Sequence, residues 1–502
     1  MAEKKNQELR RFNQYRTERL SAIPTMASAI SKKIADFKQQ YIRLVTDATQ
    51  FFENYVEEHQ RLESLVTSIR QYQEQVDLLN NYKKEKGKLP VIRGQKSSER
   101  YLEKLLRLRD SAKSDRQQLL KKMSDDKAKR YEQLDSLTDN ILDLLDGRKI
   151  FSQFLGTIAL SSPLPDEVVR CVRNEKYKPI YITALIVALF EEVRRNHQFK
   201  HPYLRENLED IFTERSMCFM ADEPNQLDPQ GRMKYREEVL KPIAKVALVH
   251  AIGSYSPEVE AIFNGDRYRV LSQDERDQML KTMRKKSLDY LRLGIGLPNK
   301  KLDTREERNA FVEYETRKMD FMLAMMDAER SHSQELRNLL RIPMTYGSFI
   351  LSTKAEHDYR QVYQAYDFIQ QAIEERTFSR LFGKLFLDMV GRFPVGSGVY
   401  FYCTETKALE KGIVSSLYPS NPELPIVKQV TRNQQQSFSQ TEVIISPQYN
   451  FYFEASRVKS GLDMRILNRR YKNEYTWNPN ELWETQIPAI VFWRKDGSVK
   501  IN

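Results

Sequence analysis

The chain has 502 residues, which gives room for two or three domains and at least one sizeable core. Apolar residues make up 40% and charged residues 30%, and no apolar run reaches the roughly 18 residues of a membrane-spanning helix, so membrane insertion is not expected. Lys and Arg outnumber Asp and Glu by 81 to 69, a net charge of +12 that favours anionic partners, although most charges are interleaved with opposite ones as on a solvated helical surface.

The basic start MAEKKNQELRRFNQYR is followed by no apolar core, so it does not read as a secretory signal. Cys171, Cys218 and Cys403 lie far apart and fit no zinc or redox spacing; reduced thiols in a cytoplasmic protein are expected. From Ile34 through Phe37, Tyr41, Leu44, Ala48, Phe51 and Tyr55, and on from Leu62 to Leu79, apolar residues advance in alternating steps of three and four. Glu58 is the one polar slot. That spacing keeps a single seam facing a partner helix, the pattern of a coiled coil. The helix is expected to end near Asn81, before a loop holding Gly87, Pro90 and Gly94. A second helix begins near Ser98, capped by Ser97 or Ser98, and stops at Gly147. Residues 1–148 then form an antiparallel helical hairpin, paired within one chain or between the chains of a homodimer. Its loop is a basic tip, with Lys83, Lys84, Lys86, Lys88, Arg93 and Lys96 against Glu85. The tip reads either as a soluble turn or as a contact point for an acidic partner.

Residues 149–391 alternate helical stretches with short polar loops, an all-α domain. The clearest helices are Tyr181 to Arg195, Glu238 to Ile252, Gln273 to Leu293, Arg305 to Ala328 and Asp358 to Gly391. From 392 to 502 the chemistry turns to strands: GVYFYC, GIVSSLY, PIVKQV, EVIISP, NFYFEA and AIVFWRKDGSVKI are β-branched or aromatic and separated by Pro, Asn, Ser and Gly. The fold class expected is mainly α, with a small C-terminal β-rich module.

Several segments are more informative in order than singly: VALVHAIGSYSPEVEAIF, LSQDERDQMLKTMRKKSLDYLRLGIG, FMLAMMDAER, RIPMTYGSFILSTKAEHDYRQVYQAY and FPVGSGVYFYCTETKALEKGIVSSLYPSNPELPIVKQV. Their succession resembles the HD-GYP family, bacterial metal-dependent phosphodiesterases that hydrolyse cyclic di-GMP. The resemblance spans residues from about 180 to 430. It implies an HD-like helical domain, an Ile342–Pro343 turn and a Phe393–Pro394–Val395–Gly396 entry into a strand.

A phosphodiesterase of that class needs divalent metals to activate water and neutralise phosphoryl oxygens, hence a convergent set of His, Asp and Glu. The resemblance places His250 on the family's His-Asp pair, but the Asp position is Ala251, and a methyl group ligates nothing. Lys285 and Lys286 stand where the family supplies a His. Asp327-Ala328-Glu329-Arg330 replaces a His-His-Glu-Arg run, and Ala355-Glu356 replaces a final Ala-Asp. The Gly-Tyr-Pro segment is missing. His250, Asp327 and Glu356 remain as a vestigial metal set; alternatively His250 is a hydrogen-bonded core histidine and the acids make salt bridges. His197 and His201 lie in a polar loop and at i, i+4 could share a helix face, but Pro202 ends any such helix.

No phosphate loop, Rossmann fingerprint or GxSxG is present. The segment FYFEASRVKSGLDMRILNRRYKNEYTW gathers Arg465, Arg469, Arg470 and Tyr471, which suit a nucleotide or single-stranded nucleic acid and equally suit a basic solvated face. The reading that follows is a catalytically inactive HD-GYP-like bacterial protein, a regulatory or scaffolding module with protein partners on its coiled coil. A homodimer, cyclic di-GMP as a ligand and no cofactor belong to that reading. The alternatives are an active phosphodiesterase with a divalent metal in a rearranged site, and a nucleic-acid binder using its basic patches.

Overall fold

A computed structural model describes residues 26–145, 148–160, 167–212, 227–327, 334–357, 359–430 and 442–460. Helices α1 (Met26–Lys86) and α2 (Ser98–Leu144) form an antiparallel hairpin within the one chain. Cross-links at opposite ends show the direction: Tyr101 to Gln75 at 3.2 Å near the loop, Asn140 to Gln40 at 3.0 Å near the base. The seam residues of α1 are buried or half-buried from Ile34 to Leu79. The polar slot is satisfied as well, since Glu58 accepts from Lys122 at 2.8 Å. The first helix runs past Asn81 to Lys86, because nothing breaks it before Gly87, whose φ of +71° ends the turn. Ser97 caps α2 by accepting from the Arg100 amide at 3.3 Å.

The body comprises α3 (Arg148–Leu160), α4 (Glu167–Asn196), α5 (Pro202–Ile211), α6 (Pro229–Tyr235), α7 (Lys241–Val249), α8 (Pro257–Phe263), α9 (Gln273–Asp289), α10 (Arg305–Met326), α11 (Gln334–Ile350), α12 (Gln364–Glu374) and α13 (Arg380–Val390). A π-helical turn, Arg236–Leu240, joins α6 to α7. Helices α9 and α10 each open on a capping box, Ser272 with Glu275 and Thr304 with Glu307. The stretch expected as one helix from Asp358 to Gly391 is broken between α12 and α13, where Arg376 takes φ +59°. The Ile342–Pro343 turn is corrected too. Both residues lie buried inside α11, where proline costs one backbone bond and packing against the body keeps the rest.

Strands β1 (Gly398–Cys403), β2 (Ala408–Val414), β3 (Ile426–Val430) and β4 (Val443–Ile444) make one antiparallel sheet in chain order. Gly398 pairs with Ile413, Lys411 with Val430 and Ile426 with Ile444. EVIISP supplies only the two residues of β4, and NFYFEA is a turn leading into α14 (Glu454–Lys459) rather than a strand. AIVFWRKDGSVKI lies outside the described residues. The sheet is fastened to the helices by Tyr363, whose hydroxyl donates to the Gly398 carbonyl at 2.8 Å, and by the Leu417 amide on Ser152 Oγ at 3.0 Å.

One hydrophobic core runs from Ile30 of α1 through the body to Phe451 beside the sheet. The base of the hairpin is therefore part of the body. A second, separate cluster of Val76, Leu79 and Leu105 closes the distal end. From about residue 56 to Lys86 the arm is two helices thick, roughly 45 Å at 1.5 Å per residue. Among the described residues no helix is long and apolar enough to cross a membrane.

Candidate functional site

The residues that carry the family resemblance are built around α4 and α7. Tyr181–Phe190 of α4 is buried on every side, and so is Lys241–Val249 of α7. Two helices this apolar bury against one another, and the contact delivers His250 to the C-terminal end of α7. The His250 ring is buried, with Nδ1 2.6 Å from the Ala247 carbonyl. A carbonyl only accepts, so the proton sits on Nδ1. Burial lowers the pKa to about 4; the Ala247 carbonyl opposes this and the Lys178 ammonium adds to it. The imidazole is neutral at pH 7.

Lys178 of α4 is itself pushed down to about 8, first by burial and then by Lys354. A positive charge, Lys178, thus stands near His250 where a metal centre would gather negative ones. The turn after His250, Ile252–Tyr255, is held rigidly. The Gly253 amide donates to Ser287 Oγ at 2.8 Å, and a side chain at 253 would meet the Ser287 backbone nitrogen at 2.6 Å and the Met283 carbonyl. Arg267 ties the same turn to α4, donating to the Ser254 carbonyl at 3.0 Å and to Glu175 at 2.5 Å. Lys286 is paired with Glu258 and Lys285 is exposed, so both belong to the surface of α9.

The other two members of the expected set sit apart in role. Asp327 caps the C-terminus of α10, its amide donating to the Leu323 carbonyl at 2.9 Å. Glu356 is exposed in the turn after α11. Among the described residues no group of three or more His, Cys, Asp or Glu side chains is placed to hold a metal ion, so the structure does not gather His250, Asp327 and Glu356 into a ligand set. Arg465, Arg469, Arg470 and Tyr471 lie outside the described residues.

His197 pairs with Glu335 at 2.7 Å, and His201 precedes Pro202 at the start of α5, its pKa lowered by burial. Sequence reasoning passed over Lys178, whose neighbour His250 is 72 positions away, and the Arg267–Glu175 tie across 92 positions. It also passed over Arg337 and Arg341, whose i, i+4 spacing on one face of α11 was a visible signal.

No family model matches the chain, and neither does any curated protein or solved structure. The HD-GYP resemblance rests on the motifs quoted above.

Proposed function

We propose that this chain is a catalytically silent, HD-GYP-like regulatory or scaffolding module of cyclic di-GMP-linked signalling, whose output is a protein contact made by the projecting hairpin. The observation that carries the reading is the arm: its base shares the body's core, its seam is filled from within the chain, and its far end bears a cluster of lysines around its own small core. A stiff two-helix projection contributes little to packing the body and offers its whole outer surface to a partner. The Lys178 ammonium near His250 supports the loss of metal chemistry, because a cation there repels a metal ion.

Metal analysis of the purified chain, together with hydrolysis of cyclic di-GMP in added Mn²⁺, tests the catalytic half. The expected result is substoichiometric metal and no turnover; stoichiometric Mn²⁺ with turnover abolished in His250→Ala overturns it in favour of a surviving phosphodiesterase. Sedimentation of the full chain tests self-association: a dimer is expected, and a monomer at high micromolar concentration removes the homodimer from the proposal.

A further inference from the structure

Helices α11 and α13, with the turn after α12, enclose a cleft of about 1070 Å³. Arg337, Arg341, Arg376, Arg380 and Lys384 line it, against Glu374 and Asp388; five positive charges less two negative leave +3. None of the five cations makes an ion pair among the described residues. Several arginines elsewhere are tied down: Arg236 to Asp139, Arg267 to Glu175, Arg269 to Glu275 and Arg392 to Asp367. A second cleft of about 490 Å³ at the waist of the hairpin has paired charges, Glu58 with Lys122 and Asp47 with Lys129. The α11 cleft therefore gathers five cations that outnumber its two carboxylates and are not ion-paired to them.

Their placement is set by the backbone. The Ser379 amide donates to Asn338 Oδ1 at 2.8 Å, which pins the α12–α13 turn onto α11. The Arg341 guanidinium lies 5.8 Å from the Phe378 ring centroid, and its pKa is lowered by partial burial and by the like charges of Arg337 and Arg284. Repulsion held in place in this way is relieved by an anion.

We propose that this cleft binds a single strand of nucleic acid through its phosphate backbone. Planar guanidinium forks match phosphate oxygens. The five cations line one cleft of about 1070 Å³, a groove able to track a single extended backbone. The two aromatic rings of the cleft are already covered, Phe378 by Arg341 and Tyr366 by Arg392 at 4.7 Å. Bases find no free ring to stack on, so recognition is independent of sequence and dominated by charge.

Fluorescence anisotropy of labelled oligo(dT) and oligo(U), about 16 nucleotides long, measures this across a salt series with the full chain. With five phosphates neutralised, the log–log salt slope is about −3.5, a roughly hundredfold loss of affinity between 50 and 200 mM salt. The exposed pair Arg337→Gln/Arg341→Gln is expected to bring the slope to about −2.1 with an unchanged circular dichroism melt. Lys83→Gln/Lys84→Gln at the hairpin tip and Arg469→Gln/Arg470→Gln near the C-terminus are expected to keep the parent slope. Binding that is absent or insensitive to salt, a slope unchanged in the α11 variant, a slope lost instead in either control, or tighter binding to phosphatidylserine vesicles than to the oligonucleotides overturns the proposal.

Discussion

The Lys241 ammonium lies 3.0 Å from the Asp135 carboxylate, joining α7 of the body to α2 of the hairpin across 106 positions of sequence. Lys241 also reaches Asp139 at 3.0 Å and Glu237 at 3.0 Å, while Lys245, one helical turn on, shares Asp135 at 2.5 Å and meets the Tyr131 hydroxyl at 3.1 Å. Arg236 takes the other oxygen of Asp139 at 2.9 Å and Asp143 at 2.7 Å. The π-helical turn explains how one stretch serves all of these: its i to i+5 bonding brings Arg236 and Lys241 to the same side, facing α2. This network and the shared apolar core hold the arm at a set angle to the body.

Asp135→Ala removes the carboxylate that two nearly buried ammonium groups share. Lys241 keeps Asp139 and Glu237, so the loss is smaller than for an isolated buried pair, about 2 kcal/mol, read as a shift in the urea midpoint. Burial works to raise the Asp135 pKa, but the Lys245 and Lys241 charges and hydrogen bonds outweigh it and hold the carboxyl below the ordinary range. A depressed carboxylate contributes stability above its unfolded value of about 4 and loses it as pH falls through the folded value. The parent is therefore expected to lose stability below about pH 4 more steeply than Asp135→Ala. Parallel acid titrations would show this, and parallel slopes would count against it.

His250 titrates from its unfolded value of 6.5 to about 4 when folded. The sign is that of a histidine buried neutral: its contribution is fully present above pH 6.5 and is lost as pH falls from there to 4, by roughly 3 kcal/mol. His250→Gln keeps a donor for the Ala247 carbonyl and removes the titration. Its stability is expected to vary less with pH in that window, and the parent's imidazole resonances are expected to stay unshifted until pH 5 or below by NMR.

Gly253→Ala places a methyl group against the Ser287 backbone nitrogen and the Met283 carbonyl, neither of which can rotate away. The expected cost is about 2 to 3 kcal/mol, since α9 must shift to admit it. Thermal melts measure it; a melt within 1 °C of the parent would mean that α9 stands further from the turn.

Leu105→Ala cuts into the small distal core of Val76, Leu79 and Leu105, which is separate from the body's core. A buried Leu→Ala change costs about 2 to 5 kcal/mol, but here it falls on the arm alone. Hydrogen exchange is expected to accelerate in the tip and the helix ends around it while the amides of α4 and α7 keep their protection. Uniform acceleration across the body would show that arm and body open as one unit.

Sequence alone determined the elements whose cause is local. The three-four spacing from Ile34 to Leu79 specifies a helix with one apolar stripe, Gly87 and Pro90 stop it, Ser97 starts its partner, and Tyr181–Phe190 is too apolar to lie anywhere but inside. That Ala251, which ligates nothing, follows His250 was equally plain, because ligand identity is a property of single residues. Tertiary structure decided everything that depends on what packs against what. Pro343 reads as a turn until α11 is seen continuing through it, held by burial against the body. NFYFEA has strand composition, yet it meets the outer edge of β1 only at the Phe401–Asn450 bridge, the Phe451 amide donating to the Tyr400 carbonyl at 2.9 Å, before it turns into α14. The charge near His250 comes from Lys178, itself faced by Lys354, and the cations of the α11 cleft come from two helices and a turn. Electrostatic fields sum over neighbours in space, and a chain that folds back over a hundred residues makes neighbours that linear spacing does not contain.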